Sequence, residues 1–350
     1  MDRPKNRPMT RHSLVFGLVL LAGALALPAA PARAAEVNVY STRQEHLVRP
    51  LLDAFTEATK IKVNLVSGGD DALLERLRAE GPNSPADVFL TVDAGRLVRA
   101  KELGLFQPIK SKTLEETIAA PLRDPDGQWF GLSMRARVIF YNKARVKPEE
   151  LSTYAALTDP KWRGRICIRS SSNVYNQSML AAMIARDGVE KAEAWAKAMV
   201  ANFARPPQGG DRDQILAVAA GACDIAIANT YYYMGLARSS KAEEVQGAEK
   251  VGLFWPDQQG AGTHVNVSGA GVTKSARNRK EAQALVEFLA GHRAQIIYAQ
   301  QVYEFPVKRG VPPAEIVAAF GPFKADTTAL AKIGPHQAEA VRVFDRAGWR

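Results

Sequence analysis

Apolar and polar residues alternate along Glu36-Val37-Asn38-Val39-Tyr40-Ser41, which is the period of a half-buried strand. A polar turn, Thr42 to His46, then leads into a stretch with apolar positions at Leu47, Leu51, Leu52 and Phe55, the spacing of a helix with one buried face. The alternation returns at Lys62-Val63-Asn64-Leu65-Val66, followed by Ser67-Gly68-Gly69-Asp70 as a turn and helix start, with Leu73, Leu74 and Leu77 on one side. Asp87-Val88-Phe89-Leu90-Thr91 reads as a third strand, with Leu97 and Val98 in the helix after it. Strand, helix, strand, helix at this interval predicts an α/β fold with a parallel sheet and crossover helices.

Gly131 to Asn142 is a long strand-like run, suited to leaving one lobe and opening the next. Leu157 to Arg163 is a loop with a Pro and a Trp, and Gly164-Arg165-Ile166-Cys167-Ile168 begins a second series. It runs into the polar strand end Ser170 to Asn176 and a helix over Met179 to Arg186. A helix start at Gly209-Gly210-Asp211-Arg212-Asp213 and a buried strand over Cys223 to Ala228 follow. Further strands are predicted at Val251 to Trp255 and Thr263 to Val267, then helical spacing from Lys280 to Gln300, where the chain rejoins the first lobe. The predicted organisation is residues 35–134 as the first part of lobe 1, 135–265 as lobe 2, and 266–350 as the return to lobe 1 with C-terminal helices.

Residues 1–34 read as a signal peptide. Arg3, Lys5, Arg7 and Arg11 precede an apolar core from Leu14 to Leu27, and Ala32-Arg33-Ala34 has the small-x-small cleavage pattern. That core is too short for a permanent membrane helix, so an exported, soluble, periplasmic protein is expected. The formal charge of +10 falls to about +6 once that segment is removed, a balance that suits an anionic ligand. The basic residues are scattered singly rather than interleaved with aromatics, which argues against nucleic acid. The only two cysteines, Cys167 and Cys223, would be a disulfide in an oxidising compartment or else two small buried thiols. No Gly-x-Ser-x-Gly elbow, Walker loop or metalloprotease His pair is present, so a binding protein is expected rather than an enzyme.

The chemistry concentrates at Asn229-Thr230-Tyr231-Tyr232-Tyr233, directly after the Cys223 strand. Strand ends entering helices are where α/β proteins place ligands. Adjacent phenols there are either packing or ligands for a hard trivalent cation, above all Fe(III). Ionising one phenol at pH 7 costs about 4 kcal/mol, and three cost roughly 12, which only a strongly charged Lewis acid offsets. Zinc or copper would favour His and Cys, which this chain barely supplies.

Taken in order, Val39-Tyr40-Ser41-Thr42-Arg43, Ala86-Asp87-Val88-Phe89, Arg135-Ala136-Arg137-Val138-Ile139, Asn173-Val174-Tyr175-Asn176, Gly209 to Asp213 and Asn229 to Tyr233 resemble periplasmic ferric-iron-binding proteins. These are the substrate-binding components of ABC iron importers. The resemblance implies a two-lobed type II periplasmic binding-protein fold hinged on crossover strands. It also implies a monomer that holds Fe(III) between its lobes and delivers it to an inner-membrane permease. It carries over Tyr231 and Tyr232 as metal ligands, and Tyr175 as a third. Where some relatives have His or Tyr after the first strand, this chain has Gln44 and Glu45, beside His46; where others have Glu, it has Val92 beside Asp93. Three phenolates then form the protein set, completed in similar members by a synergistic anion such as carbonate. Three phenolates neutralise Fe(III), so an added anion leaves excess negative charge that Arg43 and Arg135 would compensate, with Arg137 on the same strand face and Thr42 as a further donor. Tyr40 and Tyr233 are expected to pack or hydrogen-bond beside the site, Asp211 and Asp213 to start a helix, and His264 to be structural or exposed. The rival ligands are an oxyanion, a phosphonate or a polyamine, and the rival class an exported hydrolase.

Overall fold

A computed structural model describes residues 1–2, 34–326, 328 and 330–350; the signal peptide read at 1–34 lies almost wholly outside them. Ala35–Arg350 is one compact unit. Its strands are β1 (Glu36–Ser41), β2 (Lys62–Ser67), β3 (Val88–Thr91), β4 (Phe130–Asn142), β5 (Ile166–Cys167), β6 (Ile225–Asn229), β7 (Val251–Phe254), β8 (Val265–Val272) and β9 (Phe305–Pro306). They run in the order β2-β1-β3-β8-β4-β6-β5, with β7 and β9 also paired to β4.

The first half of the sheet is built as the periodicity predicts. β1 lies parallel between β2 and β3, joined by the helices Glu45–Thr59 and Asp70–Glu80. In the first of these, Val48, Leu51, Leu52 and Phe55 are buried. Leu47, assigned to that face from spacing, turns instead toward the cleft described below. The helix ends where Lys60 takes a left-handed conformation, φ 63°.

Two antiparallel strands carry the chain between halves. β4 pairs with β8 from Phe130 to Ala136, and then with β6 from Arg137 to Tyr141. β8 in turn pairs with β3. In the second half β5 lies parallel to β6. The result is two α/β lobes with β4 and β8 crossing between them. The first lobe packs Val37, Val39, Leu90 and Leu132 against the helices Glu45–Thr59, Arg279–Ala290 and His292–Gln300. The second packs Val138, Phe140, Ala226 and Ala228 against Ile215, Val218 and Met234. The C-terminal helix Gln337–Ala347 packs on Val174–Asp187 and Val189–Ala201, with Trp349 tilted against Trp195 and edge-on to Phe203. Cys167 and Cys223 form a disulfide that joins β5 to the residues leading into β6.

Some boundaries differ from the sequence reading. The helical spacing from 280 to 300 is interrupted at Gly291, whose extended backbone separates two helices. β8 begins two residues later than predicted and runs on to Val272, because its small residues Gly269, Ala270 and Gly271 sit against the backbone of the strand pair's other side, at Phe130 and Gln128. β9, only two residues long, offers no periodicity to read.

Candidate metal centre

The three singled-out phenols all stand in first turns of helices that follow strands. Asn229 ends β6 and is the N-cap of the helix Thr230–Ala237, so Tyr231 and Tyr232 fall in its first turn. Asn173 is the N-cap of Val174–Asp187, which puts Tyr175 in a helix rather than in the strand-end loop predicted for it. A helix N-terminus carries partial positive charge, so both settings favour a phenol's ionised form.

The chain brings these phenols together. The Tyr175 and Tyr231 hydroxyls are 3.2 Å apart, and the Tyr231 and Tyr232 ring centroids are 4.2 Å apart. Thr42, Arg43, Gln44, Leu47 and Val92 from the first lobe, with Arg169, Asn173, Val174 and the three tyrosines from the second, line one cavity of about 190 Å³. A larger cavity of about 560 Å³ adjoins it, lined by His46, Arg212 and Tyr303 among others, with Tyr231 and Tyr232 shared. Without a cation, burial pushes the Tyr175 phenol above its ordinary range; a charge on Tyr232 would push it further, and Arg135 pulls it down. Burial raises Tyr231 likewise, with Tyr175 and Tyr232 adding to the effect.

Guanidiniums surround the phenols. Arg135, Arg169 and Arg137 place Cζ 5.0, 5.6 and 6.0 Å from the Tyr175 ring centroid, close enough for the ring face to attract them. Arg135 is buried, 3.6 Å from Asp93, and its Nε and one terminal nitrogen have no hydrogen-bond partner. Arg43 donates to Ser268 Oγ at 2.6 Å and to Glu304 Oε1 at 2.8 Å. Burial lowers Arg43's basicity, but the Glu304 carboxylate together with the Tyr298 and Tyr231 phenols outweighs this and keeps it charged. Arg137 is held by Asn176 Oδ1 at 2.6 Å, Asp211 Oδ2 at 3.1 Å and Asn229 Oδ1 at 3.3 Å. These bonds brace the two tyrosine-bearing turns against β4, an occupation distinct from the anion role its strand face suggested. Thr42 Oγ1 donates to Thr91 Oγ1 at 3.1 Å and lines the small cavity.

Other candidates lie outside the phenol cluster. Asp93 caps the helix Ala94–Glu102 and accepts from Gly95 N–H, Ser178 and Asn266, so its lone pairs are occupied. Glu45 pairs with Arg49 on the surface. Tyr40 donates to Glu80, and Tyr233 to the Ala248 carbonyl, so both hydroxyls are engaged elsewhere. His264 is buried, and desolvation holds its imidazole down to about 4.

Three residues that sequence reasoning gave no part in the site belong to it. Asp211, read as a helix start, is buried and accepts from Arg137, Arg169 and the Asn229 N–H. Glu304 takes Arg43 and Ser133. Arg169 lines the phenol cavity directly. The one available signal was a cation immediately after a strand, at Ile168-Arg169-Ser170. Among the described residues, no group of three or more His, Cys, Asp or Glu could hold a metal, and no helix is long and apolar enough to cross a membrane.

Two α/β lobes joined by crossover strands, with a polar cleft between them, define a solute-binding protein of the two-lobed periplasmic type. The chain belongs to the bacterial extracellular solute-binding protein family, which it matches over residues 83–320. It is 52% identical over 346 residues to iron uptake protein A1 of Synechocystis sp., covering 97% of this chain and 96% of that one. Among solved structures it is similar to Trichodesmium IdiA (FutA) in complex with iron and citrate ligands, with a TM-score of 0.86 at 52% identity over 90% of this chain and 100% of that one. It is also similar to the ferric binding protein from Campylobacter jejuni, with a TM-score of 0.87 at 40% identity over the same shares.

Proposed function

We propose that this protein is exported to the periplasm, captures Fe(III) in the cleft and delivers it to an ABC permease. Tyr175, Tyr231 and Tyr232 are the metal's protein ligands, bound as phenolates. The observation that carries the reading is the convergence of three phenols on one small cavity, with two hydroxyls 3.2 Å apart. Phenols so placed repel each other once ionised, and burial makes ionisation harder still, so they need a strong cation among them. The relatives' names, which speak of iron uptake and ferric binding, support the same cargo.

A small oxyanion such as carbonate completes the site. Its surroundings are Thr42 and Arg43 on the first lobe, with Arg135 beneath the Tyr175 ring. A polyamine is a poorer fit, because Asp93, Asp211 and Glu304 are each already engaged by a guanidinium. Residues 35–134 and the helices Arg279–Ala290 and His292–Gln300 supply the first lobe, and 135–265, with the C-terminal helix Gln337–Ala347 packed on it, the second; capture brings the two onto the same ligand, a hinge closure of the kind β4 and β8 would permit.

The test is a ferric titration of the ligand-free protein followed in the visible region, with and without bicarbonate. A red-orange phenolate-to-iron band at one equivalent is expected. A protein that stays colourless with excess Fe(III) overturns the reading.

A further inference from the structure

The charges around the phenols do not balance. Four guanidiniums (Arg43, Arg135, Arg137, Arg169) face three carboxylates (Glu304, Asp93, Asp211). Arg43 has Glu304 and Arg135 has Asp93. Arg137 and Arg169 share Asp211, but not equally: Arg137 donates to it at 3.1 Å and has Asn176 and Asn229 besides. Arg169 reaches the other oxygen only at 3.4 Å; a buried Nε without a partner is common to all four, so it is exposure and position that set Arg169 apart. Arg169 is also the most accessible of the four, with 21% of its side chain exposed against 2% for each of the others.

Its place is fixed from behind. The Arg169 carbonyl accepts from Trp349 Nε1 and from Asn176 Nδ2, both at 3.0 Å. The side chain then projects where three adjoining cleft cavities meet, and it lines all of them. Opposite it in the smallest stand Thr42 and Gln44 of the first lobe.

We propose that Arg169 is the cation that receives the small oxyanion completing the metal site, while Arg137 braces the two tyrosine turns and Arg43 and Arg135, each beside a carboxylate, stay buried behind it. The inference rests on the ferric-ion reading above and names the residue that sets its anion requirement. With Fe(III) and three phenolates cancelling, the site keeps one surplus positive charge, which a singly charged oxyanion such as bicarbonate neutralises. Because Arg169 belongs to the second lobe and Thr42 and Gln44 to the first, the anion is also what bridges the lobes.

The experiment is a bicarbonate titration of the ferric protein in bicarbonate-free buffer, read from the visible band, for wild type, R169Q and R169K. The expected result is a band in all three, with half-saturation by bicarbonate raised at least tenfold in R169Q and restored to within a few-fold in R169K. An unchanged bicarbonate response in R169Q overturns the proposal, as does a wild-type band indifferent to bicarbonate. A wild type with no band at all sinks the ferric reading itself, a separate and visible failure. R169M, of similar length and also uncharged, carries the same test if R169Q does not fold.

Discussion

The hydroxyls of Tyr175 and Tyr231 lie 3.2 Å apart although 56 positions separate them in the chain. The cysteine eight residues before each, Cys167 and Cys223, is bonded across the same separation. The disulfide thus ties the C-terminal end of β5 to the residues entering β6, and the chain runs on from each cysteine to one of the tyrosine-bearing turns.

Removing a phenol tests the ligand assignment most directly. Tyr175→Phe, Tyr231→Phe and Tyr232→Phe are each expected to bleach or shift the visible band and weaken ferric binding at least about a hundredfold, or ~3 kcal/mol. In the ligand-free protein, Tyr231→Phe loses one hydroxyl contact and so about 1 kcal/mol. Full ferric affinity in any of these variants, measured by competition with a chelator, would remove that tyrosine from the ligand set.

Acid should release the metal. Burial raises the Tyr175 and Tyr231 phenols, which are therefore protonated in the ligand-free protein at neutral pH. Binding therefore expels protons, and apparent affinity falls as pH drops, by up to about three powers of ten per pH unit. The folded protein alone shows the opposite edge: a buried phenol with a raised pKa contributes stability that is complete below about pH 10 and lost as pH rises toward the folded-state value. Chelator competition from pH 5 to 8 and denaturation from pH 8 to 11 separate the two effects. Affinity independent of pH would contradict phenolate ligation.

Breaking the disulfide should loosen the second lobe. A cross-link closing a loop of this length is worth about 4 kcal/mol on the chain-entropy account. Replacing both Cys167 and Cys223 by Ser should lower the denaturation midpoint accordingly and broaden the visible band as the tyrosine turns lose their common anchor. A midpoint unchanged within error would show that packing alone holds β5 against β6.

Glu304 is expected to matter through Arg43. The pair is buried, with 2% and 1% of the side chains exposed, so Glu304→Gln strands a guanidinium without its counter-charge and costs roughly 3–5 kcal/mol. The double variant Arg43→Met, Glu304→Gln should recover part of that loss. Strictly additive effects in urea unfolding would mean the two residues are not coupled.

Much of this arrangement was readable in the chain itself. β1 and β2 fell within a residue of their predicted bounds because apolar and polar residues alternate along them, and β3 because it is a short apolar run buried throughout. The Tyr231-Tyr232 pair was conspicuous because phenols crowd the end of an apolar strand. Tyr175 carries no such local signal and came through the resemblance. The carboxylates were out of reach for a physical reason: Glu304 is 261 positions from Arg43, and Asp211 is 74 from Arg137. Periodicity reports which face a residue occupies, not which distant charge will be folded against it. Arg137 shows the same limit, since alternation put it on Arg135's face but could not disclose that Asn176, Asp211 and Asn229 would take its guanidinium.

All three phenols sit on one lobe, on turns that follow β5 and β6. If they hold the metal, arrival and retention are separate events. The ion can settle on the second lobe while the molecule gapes, and discrimination between metals happens at that moment. The first lobe then acts as a lid whose swing decides how long the cargo stays; a permease that pries it open uncovers the ion, and three phenolate–iron bonds must still break before the carrier is empty.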